Sequence, residues 1–175
     1  VTAIYLDHNA TTPLLPEVRE AMLDVLAAGP GNPSSLHGAG QRARRLLDQA
    51  RTRVARLIGA TPEEIVFVGS GTEADNLAIR GARGAAPAQR RGVLASAVEH
   101  QAVLHPCQHL HGRGRTLTLL PVDGEGRLDE PAAAAALGDD VALLSVMLAN
   151  NDVGTIQPVA ELAASADSIA LAGGK

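Results

Sequence analysis

The stretch Ile65-Val66-Phe67-Val68-Gly69-Ser70-Gly71-Thr72-Glu73-Ala74-Asp75-Asn76-Leu77-Ala78-Ile79 decides the fold. Its apolar opening, Ile65 to Val68, includes β-branched residues and predicts a short buried strand. Gly69-Ser70-Gly71 breaks that strand and lets the backbone turn sharply. Thr72 to Ile79 then reads as a helix, with Thr72 near its start and Glu73 and Asp75 in its first turn. A strand, a glycine loop and a helix N-terminus in this order form an anion site. Unpaired N–H groups and the positive end of the helix dipole face the ligand, and the Ser and Thr hydroxyls add hydrogen bonds. A phosphate group suits such a site. The alternative is an empty strand-to-helix turn, common in α/β proteins. The motif is not a P-loop, since no Gly-Lys-Ser/Thr follows the glycines, and it does not match G-x-G-x-x-G.

Composition narrows the class. The 175 residues suffice for one domain with a sizeable core. Hydrophobic residues make up 46% but aromatics only 1%, so Ala, Leu, Val and Ile must build that core. A net charge of −4 gives no reason to expect nucleic acid or an anionic membrane. No apolar run is long enough to span a bilayer, and no signal peptide is recognised. A single cysteine excludes an internal disulfide and fits a reducing compartment, so a cytoplasmic location is expected.

Outward from the central stretch, residues 1–14 read as a polar, extended N-terminal arm containing Tyr5-Leu6-Asp7-His8-Asn9-Ala10-Thr11-Thr12-Pro13. Pro16 starts a helix with Val18, Met22, Val25 and Leu26 on one side, and Gly29-Pro30 stops it. After the loop Gly31-Asn32-Pro33-Ser34-Ser35, a helix is predicted from about Gly40 to Ile58, ended by Gly59. Ala39, Ala43, Leu46, Ala50, Val54 and Leu57 form its expected buried stripe, and Arg42, Arg45, Gln49, Arg53 and Arg56 a solvated face. Thr61-Pro62-Glu63-Glu64 resembles a capping box around a single helical turn.

Beyond the anion loop, Gly81 to Gly92 reads as a connection. Strands are predicted at Gly92 to Ala97, Thr116 to Val122 and, fully buried, Val141 to Met147. Helices are predicted from Gln101 to His111, from near Asp129, and from Gln157-Pro158, with a turn at Asp123-Gly124-Glu125-Gly126. This alternation predicts a three-layer α/β fold with a mostly parallel sheet, whose ligand sits beyond the carboxyl ends of the strands. Thr72, His100 and Asn151 all fall at that edge.

His100 is read either as a general base, as a ring stacking on a planar ligand, or as an ordinary helix-start histidine. Asn151 is either a ligand or a cap for the next segment. His105, Cys107, His109 and His111 look like a metal cluster. On a helix, however, His105 and His109 share a face while Cys107 and His111 lie elsewhere, so no metal is expected. Cys107 has no evident activating partner and reads as a structural thiol. Lys175 ends the sequence after Ala172-Gly173-Gly174. It is either a frayed terminus or, after a strand Ser168-Ile169-Ala170-Leu171 and a glycine turn, a Schiff-base lysine.

Taken with Gly31-Asn32-Pro33-Ser34-Ser35-Leu36-His37, Ser70-Gly71-Thr72-Glu73-Ala74-Asp75-Asn76, Glu99-His100 and Asn150-Asn151-Asp152-Val153-Gly154, the chain from residue 1 to about 164 resembles the cysteine desulfurases of the NifS/IscS type. These are fold-type-I, class-V-aminotransferase-like enzymes. The resemblance implies pyridoxal 5'-phosphate, with Gly71 and Thr72 at the phosphate, His100 on the ring as stacker and proton shuttle, and Asn151 near the phenolic oxygen. It implies conversion of L-cysteine to L-alanine with transfer of sulfane sulfur to an enzyme cysteine, and onward delivery to an iron–sulfur scaffold or a tRNA-thiolation relay. It also implies a homodimer, with no direct nucleic-acid or membrane partner. The related alternatives are a selenocysteine lyase, an aminotransferase, or a cofactor-free binding protein.

The family pattern is incomplete here. Residues 15–175 match part of the cofactor-binding large domain, and the small C-terminal domain with its mobile-loop cysteine has no counterpart. A helix and a strand ending in Val-Asp-Ala-x-Gln are expected between Ala164 and Ser165. Gly174 stands where the family's Ser-Gly-His-Lys segment has His, so Lys175 fits either that lysine or a Gly-Pro-Lys-Gly stretch further on. The 175 residues are therefore expected to be an incomplete view of a longer enzyme, and inactive alone.

Overall fold

The computed structural model describes residues 4–8 and 11–172, except the side chains at 83 and 167–172. The chain divides into two compact units, Val1–Phe67 and Val68–Lys175.

In the first unit, α1 (Pro16–Ala27) starts with Pro16 in its first turn, and Gly29 follows at φ 81. Helix α2 (Gly38–Ile58) is capped by His37, whose Nδ1 accepts the Gly40 N–H at 3.4 Å, and closes on Gly59 at φ 71. That left-handed conformation is what makes glycine the natural stop. Gly40 is required for another reason: a Cβ there would lie 2.3 Å from the Ser35 carbonyl oxygen, so the 31–35 loop packs directly on the helix backbone.

The basic face of α2 is solvated as expected, but the expected buried stripe is not buried. Leu46, Val54 and Leu57 are 43%, 37% and 84% exposed, and only Gly40 and Ala55 of the helix are buried. Ala39, Ala43, Leu46 and Ala50 instead line an open groove of about 440 Å³ with Val25 and Pro30. Periodicity placed these residues on one face, but no described element of the unit covers it.

A 3₁₀ turn at Pro62–Glu64 confirms the capping box: the Glu64 carboxylate accepts the Thr61 N–H at 2.7 Å and its hydroxyl at 3.1 Å. The predicted strand that follows is absent. Ile65 is extended, but its carbonyl accepts from Arg51 Nε at 3.3 Å, and the Arg51 guanidinium lies 5.4 Å from the Phe67 ring centre. Val66 is 65% exposed. An extended segment becomes a strand only beside a partner ladder, and the described residues offer none.

The second unit holds a three-stranded parallel sheet in the order β2 (Thr116–Leu120), β1 (Gly92–Ser96), β3 (Val141–Ser145). Helices α3 (Gly71–Ala85) and α4 (Gln101–His111) pack on each other, as do α5 (Glu130–Ala136) and α6 (Val159–Ala172). All five residues of β1 are buried, as for a central parallel strand covered on both faces. Alternation along it splits the core. Val93 and Ala95 join Ile79, Val103, Cys107 and Leu110, whereas Leu94 joins Leu120, Leu128, Ala133 and Leu162. Each fully buried Leu or Val contributes roughly 1.5–3 kcal/mol over an exposed one.

Several predicted bounds shift. Helix α3 continues to Ala85 through the stretch read as a connection, because Ile79 anchors it in the core. Strand β2 stops at Leu120, and Val122 instead bridges to Leu128. Strand β3 is half-buried rather than fully buried, since no described strand lies on its outer side. Residues Ser168 to Leu171 are helical, within α6, not a strand. The run from Val159 to Ala172 has no Gly or Pro to break a helix. Lys175 lies outside the described residues. Among the described residues, no helix is long and apolar enough to cross a membrane.

The two Thr61 hydrogen bonds hold the Glu64 carboxyl below its ordinary value of 4.5. The stabilisation they give is present above the unfolded-state titration and is lost as pH falls through the folded one. A carboxyl-detected NMR titration is expected to place Glu64 below 4.5, with the Thr61 amide shifting over the same range. In Thr61→Ala, which keeps only the backbone bond, the Glu64 midpoint should move back up.

Candidate functional site

Helix α3 begins with a reciprocal cap. Ser70 Oγ accepts the Glu73 N–H at 3.1 Å, and the Glu73 carboxylate accepts the Gly69 N–H at 2.8 Å. The Ser-x-x-Glu spacing at 70–73 carries this signal and was overlooked in the sequence. The N–H groups of Gly71 and Thr72, the next two of the helix, have no partner among the described residues. A Cβ built on Gly71 meets nothing within 4 Å, so the space above the loop is open.

Helix α4 presents the second wall. His100 is its N-cap, with Nδ1 accepting the Ala102 N–H at 3.1 Å. In this geometry Nδ1 carries no proton and Nε2 does, so the ordinary helix-start reading of His100 is correct as far as it goes. Yet the ring also lines an open cleft of about 320 Å³ with Thr72, Asn76, Arg80, His105 and His109. Thr72 and His100, far apart in sequence, thus share the N-terminal end of one groove between α3 and α4, which runs on to Arg80 and His109.

Asn151 does not line that cleft. It lies on the loop after β3, exposed, with Nδ2 donating to the Asp152 carboxylate at 2.9 Å. The capping role considered for it belongs to Asn150, whose Oδ1 accepts the N–H groups of Asp152 and Val153, both at 2.9 Å. Asn150 and Asp152 line a second open cleft of about 740 Å³, with Glu99 and Asp123, and Gln101 borders both clefts.

Between the two loops lies a buried polar cluster that sequence reasoning missed. Glu99 is only 7% exposed and Ser96 fully buried. Glu99 Oε1 accepts from Ser96 Oγ at 2.8 Å and from the Met147 N–H at 2.6 Å, and Oε2 accepts from Ser145 Oγ at 3.3 Å. Asn150 Nδ2 donates to the Val98 carbonyl at 3.1 Å. The only available sequence signal was a serine ending each of two apolar strands.

Among the described residues, no group of three or more His, Cys, Asp or Glu side chains is placed to hold a metal ion. Cys107 is fully buried in the core, and burial together with the Glu99 charge pushes its thiol up from the ordinary value of 9.0. It is therefore held as the unreactive thiol.

A parallel sheet with helices on both faces, and helix N-termini and polar loops at its carboxyl edge, defines an α/β domain of the kind whose ligand sites lie at that edge. The model of the class-V aminotransferase family matches residues 4–171, and the chain belongs to that family. It is 53% identical over 162 residues to a cysteine desulfurase of Cereibacter sphaeroides, covering 91% of this chain and 42% of that protein. It is 47% identical over 165 residues to the cysteine desulfurase NifS of Azotobacter vinelandii, covering 94% of this chain and 41% of that protein. A solved NifS-like protein superposes with a TM-score of 0.89 at 33% identity, over 96% of this chain and 46% of its own. The chain thus spans about two-fifths of the length of the relatives it matches.

Cys107 is expected to react with a thiol reagent far more slowly in the native protein than after unfolding, by at least a hundredfold at pH 7 on a spectrophotometric titration. Cys107→Ala should lower stability by about 1 kcal/mol, read from denaturant midpoints, because it empties part of the core.

Proposed function

We propose that this chain is the cofactor-binding part of a pyridoxal-phosphate-dependent cysteine desulfurase. The observation that carries this reading is the groove between α3 and α4 whose N-terminal end joins His100 to Thr72, where the Gly71 and Thr72 N–H groups have no partner among the described residues. The donor set fits the cofactor: two backbone N–H groups, a hydroxyl and a helix dipole suit a phosphate dianion. When bound, pyridoxal phosphate supplies an electron sink for bond breaking at the amino acid.

The chain's residues then take distinct tasks. Gly71 and Thr72 hold the phosphate. His100, pinned through Nδ1, covers the ring and carries an exchangeable proton on Nε2. Asn151, on the exposed loop after β3, would offer a side-chain N–H to the phenolic oxygen and to the substrate carboxylate. Lys175 is the candidate Schiff-base lysine, with a lysine of a later Gly-Pro-Lys-Gly stretch as the other candidate. In the overall reaction the C–S bond of L-cysteine breaks and a hydrogen takes the place of sulfur, giving L-alanine. The sulfur forms an S–S bond with an enzyme thiol, leaving a persulfide. Buried Cys107 is unsuited to that role, so the acceptor thiol belongs to the portion of the relatives this chain does not span.

The same reading makes residues 1–14 an arm and 15–175 a partial large domain, in a homodimer of the cytoplasm. Sulfur passes to an iron–sulfur scaffold or a tRNA-thiolation relay.

The test is turnover by the intact protein. L-cysteine is expected to yield alanine and enzyme-bound sulfane sulfur in equal amounts, detected by chromatography and cyanolysis. His100→Ala should lower kcat by about 10²–10⁴-fold if its proton is used. Thr72→Val should weaken pyridoxal phosphate binding several-fold in a fluorescence titration. Alanine production that needs a keto acid and yields no sulfane sulfur would replace this reading with an aminotransferase.

A further inference from the structure

We propose that Glu99 and Asn150 form a clamp that sets the distance between His100 and Asn151, making Glu99 a positioning residue for the site. The proposal rests on the desulfurase reading only for what the two positioned residues do. The clamp itself is a matter of hydrogen bonds.

A carboxylate that leaves water is costly unless it is fully hydrogen-bonded. Glu99 meets that condition with donors from two strands. Ser96 belongs to β1, whereas Ser145 ends β3 and Met147 lies two residues beyond it. Asn150 repeats the tie one step further out, with Nδ2 reaching back to the Val98 carbonyl. Its Oδ1 holds the Asp152 and Val153 N–H groups and so shapes the turn that contains Asn151. Glu99 is the immediate neighbour of His100, and Asn150 that of Asn151. Each exposed candidate is thus carried by a buried partner, and the partners join the two loops.

Sheet pairing ends before these loops: the β1–β3 register runs only to Ala95↔Ser145. Beyond that point the side chains of Glu99 and Asn150 crosslink the two chain segments, through Met147 and Val98. The clamp works through hydrogen-bond geometry, not charge. A glutamine fits the same donors, with its oxygen toward Met147 and Ser96 and its amide donating to Ser145 Oγ.

The experiment uses the intact protein and its Glu99→Ala, Glu99→Gln and Asn150→Asp variants. Asn150→Asp keeps the Oδ1 turn but loses the donor to Val98. The first readout is NMR of the His100 imidazole nitrogens and the Asn151 side-chain amide, with His109 as a reference elsewhere in α4. Glu99→Ala and Asn150→Asp are expected to move the His100 and Asn151 signals, and Glu99→Gln to leave them near wild type. The second readout is cysteine turnover. There Glu99→Ala should lower kcat about ten- to a hundredfold, since displacement of about 1 Å can cost that much. Glu99→Gln should recover most of the loss, and the Glu99→Ala effect should shrink in a His100→Ala background.

The clamp is overturned if Glu99→Gln is as impaired as Glu99→Ala, or if the His100 and Asn151 signals stay put in Glu99→Ala. Should Glu99→Ala not fold, unmoved signals in Asn150→Asp overturn it. Absence of cysteine turnover in the unmodified protein overturns the desulfurase reading alone, because the NMR readout still decides the clamp.

Discussion

Strand β1 is the constraint on which the second unit depends. It is the one described strand with a partner on each side, and every residue from Gly92 to Ser96 is buried. A parallel strand in that position needs apolar cover on both faces, which is why its side chains split between two cores. Val93 and Ala95 draw in α3 and α4 through Ile79, Val103 and Leu110, and Leu94 draws in α5 and α6 through Ala133 and Leu162. With the helices so fixed, the N-termini of α3 and α4 and the loop after β3 have little choice but to gather at the carboxyl edge. The position of the site is a consequence of parallel pairing.

Much of this was legible from local signals. The helix from Gln101 to His111 and the strand starting at Gly92 announce themselves by apolar runs between punctuating residues, and the structure places both there. Burial was less legible, because it depends on what lies opposite. The stripe of α2 has perfect periodicity and still faces an open groove. Ile65 to Val68 has strand composition, yet Arg51 takes its carbonyl and Phe67 in place of a neighbouring strand. The strand read at Ser168 to Leu171 failed in the opposite direction: with no partner ladder, an Ala-rich run remained in α6.

The site divided along the same line. His100 follows β1 and Thr72 a glycine turn into α3, both legible in the sequence, although the strand expected before Thr72 is absent. Glu99 and Asn150 could not be foreseen, since the partners that tie the two loops together lie 46 to 52 residues away in the chain. A long-range hydrogen bond leaves no periodicity. What remained in the sequence was a pair of polar residues next to those already singled out, and they read as neighbours without a task.

The three polar loops share a division of labour. At the α3 start, the Ser70–Glu73 cap uses the N–H groups of Gly69 and Glu73 and leaves those of Gly71 and Thr72 without a partner among the described residues. At the α4 start, His100 spends Nδ1 on the Ala102 N–H and keeps Nε2. After β3, Asn150 is consumed by the turn while Asn151 spends one Nδ2 hydrogen on Asp152, leaving the other N–H and Oδ1. In each case part of the polar capacity satisfies the backbone and thereby orients the rest. A loop whose polar atoms were all unpaired would lack a fixed geometry, and one with all of them paired would have nothing to offer a ligand. Partial satisfaction is the arrangement that yields both order and function, and it recurs here at the starts of α3 and α4 and after β3.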